Sequence, residues 1–346
     1  MRRPIKLILV LVSIFIFQSC ETPQQATAEF TADEIQRWEA TASRVTIIRD
    51  NWGIPHIYGK TDADAIFGML YAQCEDDFKR IETNYLTSIG RMAEVEGEKA
   101  LYTDLRQRLF INEEEIKALY NEAPEGMKQQ MKGFADGINY YLYKHPEVKP
   151  MLLTRFEPWM PLTFSEGSIG GDIESISTEN LEAFYRGKSV SPVSSVYTYE
   201  PEPEPTGSNG FAIAPSNSAS GNSLLLINPH TSFFFRSEQH VVSEEGLNAY
   251  GAVTWGQYFI YQGFNEHCGW MHTSSAAEKV VSKTFTTYKS HHGPIVREEG
   301  GKWIAVGLMQ DPLNALSQSY MRTKAATYND FNNNMRLRTN SSNNTV

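Results

Sequence analysis

The feature that most constrains the fold of this chain is the change in amino-acid composition between residues 187 and 207. Ser, Val, Pro and Glu dominate this segment, which ends in strict alternation of Glu and Pro from Glu200 to Pro205. Such a composition cannot build a packed core, and it favours an extended, exposed conformation. The sequence therefore predicts a linker at residues 187–207 that separates two structured halves.

The residues before this linker carry a helical pattern. Apolar side chains recur at three- and four-residue steps through residues 61–94 and 113–143, which is the spacing of amphipathic helices. Gly90 is expected to interrupt the first of these helices. A β-branched run at residues 45–49 predicts one strand. Residues 21–186 are therefore predicted to be mainly helical.

The residues after the linker are rich in short segments of β type. Runs of β-branched and aromatic residues, bounded by Ser, Asn and Gly, predict strands at residues 211–214, 224–227, 258–261 and 284–288. Residues 208–346 are therefore expected to be mainly strand. The two halves together predict the α+β class, and composition leaves open whether they form two domains or one domain with a cuttable connection.

Composition and charge exclude some classes of protein. The chain is 41% hydrophobic and 12% aromatic, which is enough to bury a substantial core. Its formal net charge of -10 offers no basic surface for phosphates, so a nucleic acid partner is not expected. Cys74 lies on the apolar stripe of the first long helix and is predicted to be a small core residue.

The N-terminus resembles an export signal. Basic residues within the first six positions precede an apolar run at residues 7–17, which is too short to span a bilayer. The run ends just before Cys20, as in bacterial lipoprotein signals whose cysteine becomes lipidated. Residues 1–20 are therefore excluded from the fold as a lipoprotein-type signal, with Cys20 expected to become the lipidated mature N-terminus. The protein is predicted to be periplasmic or attached to a membrane through lipid alone. An ordinary signal with an incidental cysteine remains the alternative.

The residues with the clearest chemical potential follow the linker at once. Ser208 stands between Gly207 and Asn209, and a serine hydroxyl can attack the preceding carbonyl where a Gly-permitted geometry brings the two together. Cleavage would leave Ser208 with a free α-amine, whose ordinary pKa of about 7.7 to 8.0 suits a base beside its own hydroxyl. Taken alone, the four residues from Gly207 to Gly210 are more typical of a Gly-rich turn than of a nucleophile.

Several separated segments resemble the penicillin acylase family of N-terminal-nucleophile hydrolases. The opening stretch VTIIRDNWGIPHI at residues 45–57 resembles the start of that family's α chain, and GSNGFAI at 207–213 the start of its β chain. The other matching segments are YAQ at 71–73, GRMAE at 90–94, NPH at 228–230, GFN at 263–265 and GWMHTS at 269–274. The resemblance covers most of the chain after the signal, and the segments follow in the family's order.

The resemblance implies a role for individual residues. Ser208 would be the nucleophile and its α-amine the general base, while His230 would position that amine. The backbone N–H of Ser274 and the side-chain amide of Asn344 would donate to the oxyanion, and Phe211 would contact the acyl group. No organic cofactor is implied. A structural calcium is implied, with Glu179, or Glu174 in its place, and Glu278 as ligands, although Val281 replaces a further acidic ligand.

The fold and activity implied by the resemblance are those of an acylase precursor. The fold would be an αββα sandwich, incomplete here because the family's β chain runs well beyond Val346. Cleavage before Ser208 would give α and β chains that stay associated and hydrolyse the amide bond of an N-acylated small molecule. Two alternatives remain at this point: a non-catalytic surface lipoprotein that binds peptides or glycans, and a serine hydrolase with His240 or His272 as its base.

Overall fold

The structure is a computed structural model that describes part of the chain. The described residues are 29–163, 173, 176–186, 208–231, 234, 236–274, 281–282, 289–290, 293–305, 311–337, 339 and 343–345. The predicted signal peptide, the predicted linker and the predicted strand at residues 284–288 lie outside them. So do two of the proposed calcium ligands, Glu174 and Glu278.

The first half is mainly helical, as predicted. Its helices are α1 (Ala32–Ala42), α2 (Asp62–Ser88), α3 (Ala93–Glu96), α4 (Leu101–Arg108), α5 (Glu113–Glu122), α6 (Glu125–Lys144) and α7 (Thr178–Tyr185), and the second half adds α8 (Pro312–Thr323) and α9 (Tyr328–Met335). Short 3₁₀ turns span Gly97–Ala100, Met160–Thr163 and Pro215–Asn217. None of the helices in the described part of the chain is long and apolar enough to cross a membrane.

Local signals set the ends of these helices. The Thr61 hydroxyl accepts a hydrogen bond from Asp64 N–H and begins α2. Gly90 lies just beyond the end of this helix with φ +65°, so the predicted interruption there is confirmed. The region 113–143 is two helices and not one, because Pro124 cannot continue α5 and stands at the start of α6.

Strands dominate the second half, and two more come from the first. They are β1 (Val45–Arg49), β2 (Pro55–Gly59), β3 (Ser208–Ile213), β4 (Leu224–Pro229), β5 (Arg236–Ser243), β6 (Asn248–Thr254), β7 (Gln262–Asn265), β8 (Gly269–Trp270), β9 (His272–Ser274), β10 (Val281–Ser282), β11 (Lys289–Ser290), β12 (Gly293–Glu299), β13 (Lys302–Ala305) and β14 (Asn343–Thr345). The strand predicted from residues 45–49 is confirmed as β1.

The main sheet joins the two halves of the chain. Its order is β1-β2-β5-β6-β7-β8, and β2 pairs with β5 in parallel while its other neighbours pair antiparallel. The smaller sheets are β10-β13-β12-β11, β14-β9 and β3-β4. Because residues from both sides of the linker share one sheet, the halves form one α+β unit and not two separate domains.

Helices α2 and α6 supply the layer that covers one face of this sheet. Alternate residues of β2 and β5, such as Ile57 and Val241, are buried in the same cluster as Leu70 of α2 and Phe134 of α6. Cys74 belongs to that cluster, as predicted, and burial raises the pKa of its thiol well above its usual value. The predicted α+β class is confirmed, with one helical layer and one sheet layer of the expected sandwich present in the described residues.

One predicted strand is wrong. Residues 258–261 form no strand but a buried bend between β6 and β7, where Tyr258, Phe259, Ile260 and Tyr261 are each at most 3% exposed. The backbone is held by a hydrogen bond of 2.8 Å from Tyr261 N–H to the carbonyl of Ala252. The aromatic run reflects burial in the core, which periodicity alone does not distinguish from a strand.

Candidate functional site

Ser208 is the first residue of strand β3 and opens a two-stranded hairpin with β4. The register pairs Ser208 with Pro229 and Phe211 with Leu226. Because β4 ends at Pro229, His230 follows directly beside the serine. The backbone N–H of His230 donates a hydrogen bond of 3.3 Å to Ser208 Oγ. The hairpin therefore brings together two of the residues predicted to act in catalysis, although they lie 22 positions apart.

The imidazole of His230 is oriented by Asn209. Asn209 Nδ2 lies 3.0 Å from His230 Nε2. A side-chain amide nitrogen only donates, so Nε2 accepts and the neutral ring carries its proton on Nδ1. Sequence reasoning missed this role for Asn209. Its position next to the predicted nucleophile was the available signal, because antiparallel pairing places it opposite the end of β4.

The predicted oxyanion donors lie on two paired strands. Strand β9 contains Ser274 and strand β14 contains Asn344, and the pairing sets Ser274 opposite Asn343 and Asn344 opposite Thr273. In this register the two predicted donors, Ser274 and Asn344, are offset by one residue. About seventy residues separate them in the sequence, so only tertiary pairing brings them together.

The nucleophile hairpin packs against the strands that lead to Ser274. A Cβ added at Gly210 would lie 1.7 Å from Met271 Sδ, and one added at Gly269 would lie 2.3 Å from Leu225 Cδ2. These glycines let β3 and β4 approach β8 and the residue before β9 without a clash. Ser208, His230 and the backbone of Ser274 consequently belong to one region of the molecule.

The Phe211 side chain lies on the opposite face of the hairpin from the Ser208 side chain. Successive residues of a strand point to opposite faces, so Phe211 and Ser208 project from opposite sides of β3. Phe211 is 61% exposed, and it shares an apolar face with the three residues Ile213, Leu224 and Leu226. The structure does not bring the Phe211 ring to the serine, and its role in binding an acyl group stays a prediction.

Of the proposed calcium ligands, Glu179 lies among the described residues. Glu179 is exposed in the first turn of α7, where its carboxylate accepts a hydrogen bond of 2.7 Å from Ser177 Oγ. This bond, with one from the backbone, lowers the pKa of Glu179. Across the described ranges no three His, Cys, Asp or Glu side chains form a group that could hold a metal. Calcium binding stays a prediction.

The two histidines of the rival serine hydrolase have other environments. His240 Nδ1 lies 3.0 Å from His56 Nδ1 and its Nε2 lies 2.9 Å from Asn248 Oδ1, so both ring nitrogens are engaged on the main sheet. His272 is 3% exposed and stacks on Tyr261 with ring centroids 4.3 Å apart. His230 is the histidine whose contact with Ser208 the structure records.

Comparison with known proteins relates the chain to one family and to several acylases. The sequence model of the penicillin amidase family matches residues 44–281 of this chain. The acyl-homoserine lactone acylase PvdQ of Pseudomonas putida is 24% identical over 287 residues, which is 75% of this chain and 36% of that protein. The acyl-homoserine lactone acylase QuiP of Pseudomonas aeruginosa is 30% identical over 131 residues, which is 37% of this chain and 16% of that protein.

A solved structure of thermostable penicillin G acylase from Alcaligenes faecalis superposes with a TM-score of 0.35 at 20% identity, covering 41% of this chain and 79% of that one. The chain spans about a third of the length of the PvdQ relatives that it matches. The matched residues 44–281 include Ser208, His230 and the strand of Ser274. On the extent of that match, the chain belongs to the penicillin amidase family.

Proposed function

We propose that this protein is an amidohydrolase whose nucleophile is the hydroxyl of Ser208, exposed as an N-terminal residue by cleavage of the Gly207–Ser208 bond. The observation that carries the proposal is the position of Ser208, which begins β3 directly after the linker and accepts the His230 backbone N–H on its Oγ. Membership in the penicillin amidase family supports the same reaction class.

Maturation and catalysis use the same oxygen. In the precursor, Ser208 Oγ attacks the Gly207 carbonyl, the C–N bond breaks as the nitrogen takes up a proton, and water hydrolyses the resulting ester. The new α-amine then accepts the hydroxyl proton while Oγ attacks the substrate amide. The amine product leaves with that proton, and water releases the acyl group from Ser208.

The surrounding residues take supporting roles in this proposal. His230, oriented by Asn209, positions the α-amine. The backbone N–H of Ser274 and the side-chain amide of Asn344 stabilise the negative oxygen of the tetrahedral intermediate. One such donor is typically worth about 2.7 to 4 kcal/mol, or about 100- to 1000-fold in kcat. The pairing of β9 with β14 supports this assignment because it sets Asn344 opposite Thr273, the residue before Ser274.

The proposed substrate is an N-acylated small molecule. Several similar proteins are named acyl-homoserine lactone acylases, so a fatty acyl amide is the first substrate to test, with β-lactam and lipopeptide amides beside it. Phe211 is proposed to contact the acyl group after maturation. A structural calcium held by Glu179 and Glu278 remains part of the proposal, and no organic cofactor is needed for the chemistry.

Export and lipid attachment complete the proposal. The apolar run at residues 7–17 and Cys20 support secretion followed by anchoring through one lipidated cysteine. A Cys20→Ser variant is expected to leave the membrane fraction and appear in the soluble periplasmic fraction.

The decisive test follows processing in the protein expressed from its native gene. Intact-mass measurement and N-terminal sequencing should find a chain that begins Ser208-Asn209-Gly210. The Ser208→Ala variant should stay uncut and inactive. Ser216 is an exposed serine in the turn after β3, and the Ser216→Ala variant should be cleaved before Ser208 like the wild type. A wild-type protein that stays intact and hydrolyses no acyl amide would contradict the proposal and favour a non-catalytic surface lipoprotein.

A further inference from the structure

Two histidines face each other on the side of the main sheet that α2 does not cover. His56 of β2 and His240 of β5 are paired in the parallel register, and their Nδ1 atoms lie 3.0 Å apart. Both rings are partly buried, and the His56 side chain keeps 28% of its surface exposed. Neither residue is needed for the proposed acyl transfer at Ser208.

The hydrogen bonds around His240 fix where its proton lies. Asn248 Nδ2 donates to Glu266 Oε1 at 2.9 Å, which turns Asn248 Oδ1 towards His240 Nε2, also at 2.9 Å. An amide oxygen only accepts, so Nε2 of His240 carries a proton. The neutral ring therefore presents a lone pair at Nδ1, and the Nδ1–H of His56 donates to it.

The carboxylate of Asp50 lies near the Nε2 side of the His56 ring. Asp50 Oδ2 lies 3.7 Å from His56 Nε2, while Asp50 Oδ1 accepts hydrogen bonds from the backbone N–H groups of Trp52 and Ile54. Asp50 thus places a carboxylate near His56 Nε2, at a distance longer than a hydrogen bond.

We infer that His56 and His240 bind a divalent transition metal ion through their two Nδ1 atoms. Imidazole is a preferred ligand of Cu²⁺, Ni²⁺ and Zn²⁺. The remote nitrogen of His240 has an oxygen acceptor in Asn248, as metal-binding histidines almost always do. The carboxylate of Asp50 lies 3.7 Å from the remote nitrogen of His56. On binding, the proton of His56 Nδ1 is lost and one is taken up at Nε2 beside Asp50, so the ring stays neutral.

The two nitrogens lie 3.0 Å apart, which is the separation of the hydrogen bond between them. Metal–nitrogen bonds of about 2.0 to 2.1 Å place two ligating nitrogens about 2.9 to 3.3 Å apart, depending on the angle at the metal. The two partly exposed rings must rotate to turn their Nδ1 atoms from each other towards an ion.

Water would complete the coordination. Among the residues that the structure describes, no third His, Cys, Asp or Glu joins this pair to make a three-ligand group. Because the protein would supply only two ligands, both neutral, we expect the ion to be bound weakly and to exchange with ions in solution. Hard cations such as Ca²⁺ and Mg²⁺ prefer oxygen ligands and should not bind here.

Calorimetric titration of the full chain with Ni²⁺ tests the inference. The wild type should bind with a component that His56→Gln and His240→Gln each abolish. A matched control, His291→Gln together with His292→Gln, removes the other two closely spaced histidines of the sequence and should leave that component intact. Asp50→Asn should weaken it about 10- to 100-fold, the usual effect of losing an outer-shell partner.

A second measurement needs no variant. Cu²⁺ electron paramagnetic resonance of protein labelled with ¹⁵N-histidine should show two coordinated imidazole nitrogens in a tetragonal field. A Ni²⁺ titration that neither His56→Gln nor His240→Gln changes, or a Cu²⁺ spectrum without two histidine nitrogens, would overturn the inference. Stronger binding of Ca²⁺ than of Ni²⁺ at this pair would do the same.

Discussion

Burial decides the protonation of single residues in this protein, and His272 is the clearest case. Its imidazole stacks on Tyr261 in the interior. Burial lowers its pKa well below the usual value, and the nearby guanidinium groups of Arg322 and Arg236 lower it further. His272 is therefore neutral in the folded protein, whereas in the unfolded chain it titrates near its ordinary pKa of about 6.5.

This difference predicts a loss of stability in mild acid. Below about pH 6.5 the unfolded chain takes up a proton at His272 that the folded protein does not, so the free energy of unfolding falls by up to about 1.4 kcal/mol per pH unit from this residue. Thermal unfolding between about pH 7.5 and pH 5 should show a weaker pH dependence in His272→Gln than in the wild type. The exposed His267→Gln serves as control. Equal pH dependence in all three proteins would contradict the assignment.

At the scale of elements, close packing of the β3–β4 hairpin on its neighbours holds Ser208 near β9. The contact depends on a missing side chain at Gly210, which leaves room for the buried sulfur of Met271. The four residues of the hairpin's other face, Phe211, Ile213, Leu224 and Leu226, remain exposed. One face of the hairpin is thus fixed by packing, while the other is exposed in the part of the chain that the structure describes.

Paired substitutions should measure that packing. Gly210→Ala is expected to destabilise by about 1 to 3 kcal/mol, because its new Cβ would overlap Met271 Sδ. Met271→Ala should cost about 2 to 5 kcal/mol by leaving a cavity. The double variant should lose less than the sum of the two, with a coupling of about 0.5 to 3 kcal/mol in denaturant unfolding. Simple additivity would show that the hairpin does not rest on Met271.

At the scale of the whole molecule, the two halves are held together without the linker. Strand β2, which precedes residues 187–207, pairs with strand β5, which follows them. Helix α2 also reaches the second half through Gln73, whose Nε2 donates to the Gln257 carbonyl and whose Oε1 accepts Gly256 N–H. Tyr85 of α2 donates to the Gly256 carbonyl from within the shared core. A cut in the linker leaves all of these contacts in place.

A linker cut by a specific protease should therefore produce two chains that stay associated. A recognition sequence inserted between residues 195 and 200 of Ser208→Ala would allow cleavage that is independent of Ser208. The cut protein should elute from a sizing column at the position of the uncut one, and separate into two chains only in denaturant. Separate elution under native conditions would show that the shared sheet is too weak to hold the halves together.

The sequence by itself determined the features that depend on neighbouring residues. Helical periodicity and the interruption at Gly90 were predictable because backbone conformation there follows local side chains. The position of Ser208 directly after the Pro- and Glu-rich stretch was readable for the same reason, whereas the linker predicted at residues 187–207 lies outside the described residues and stays a prediction. The motifs around Ser208 and His230 also indicated the penicillin amidase family.

Only the tertiary structure decided which distant residues meet. The pairing of Ser274 with Asn343 and of His56 with His240 depends on strand register between segments far apart in the chain, and local propensity carries no information about such pairing. The bend at residues 258–261 was misread because its aromatic residues are buried on all sides, which erases the alternation of a half-exposed strand. The tautomer of His230 likewise depends on Asn209, which the hairpin brings to it. Contacts of this kind arise from packing the whole chain, whereas the helices and the nucleophile's position arise from its local chemistry.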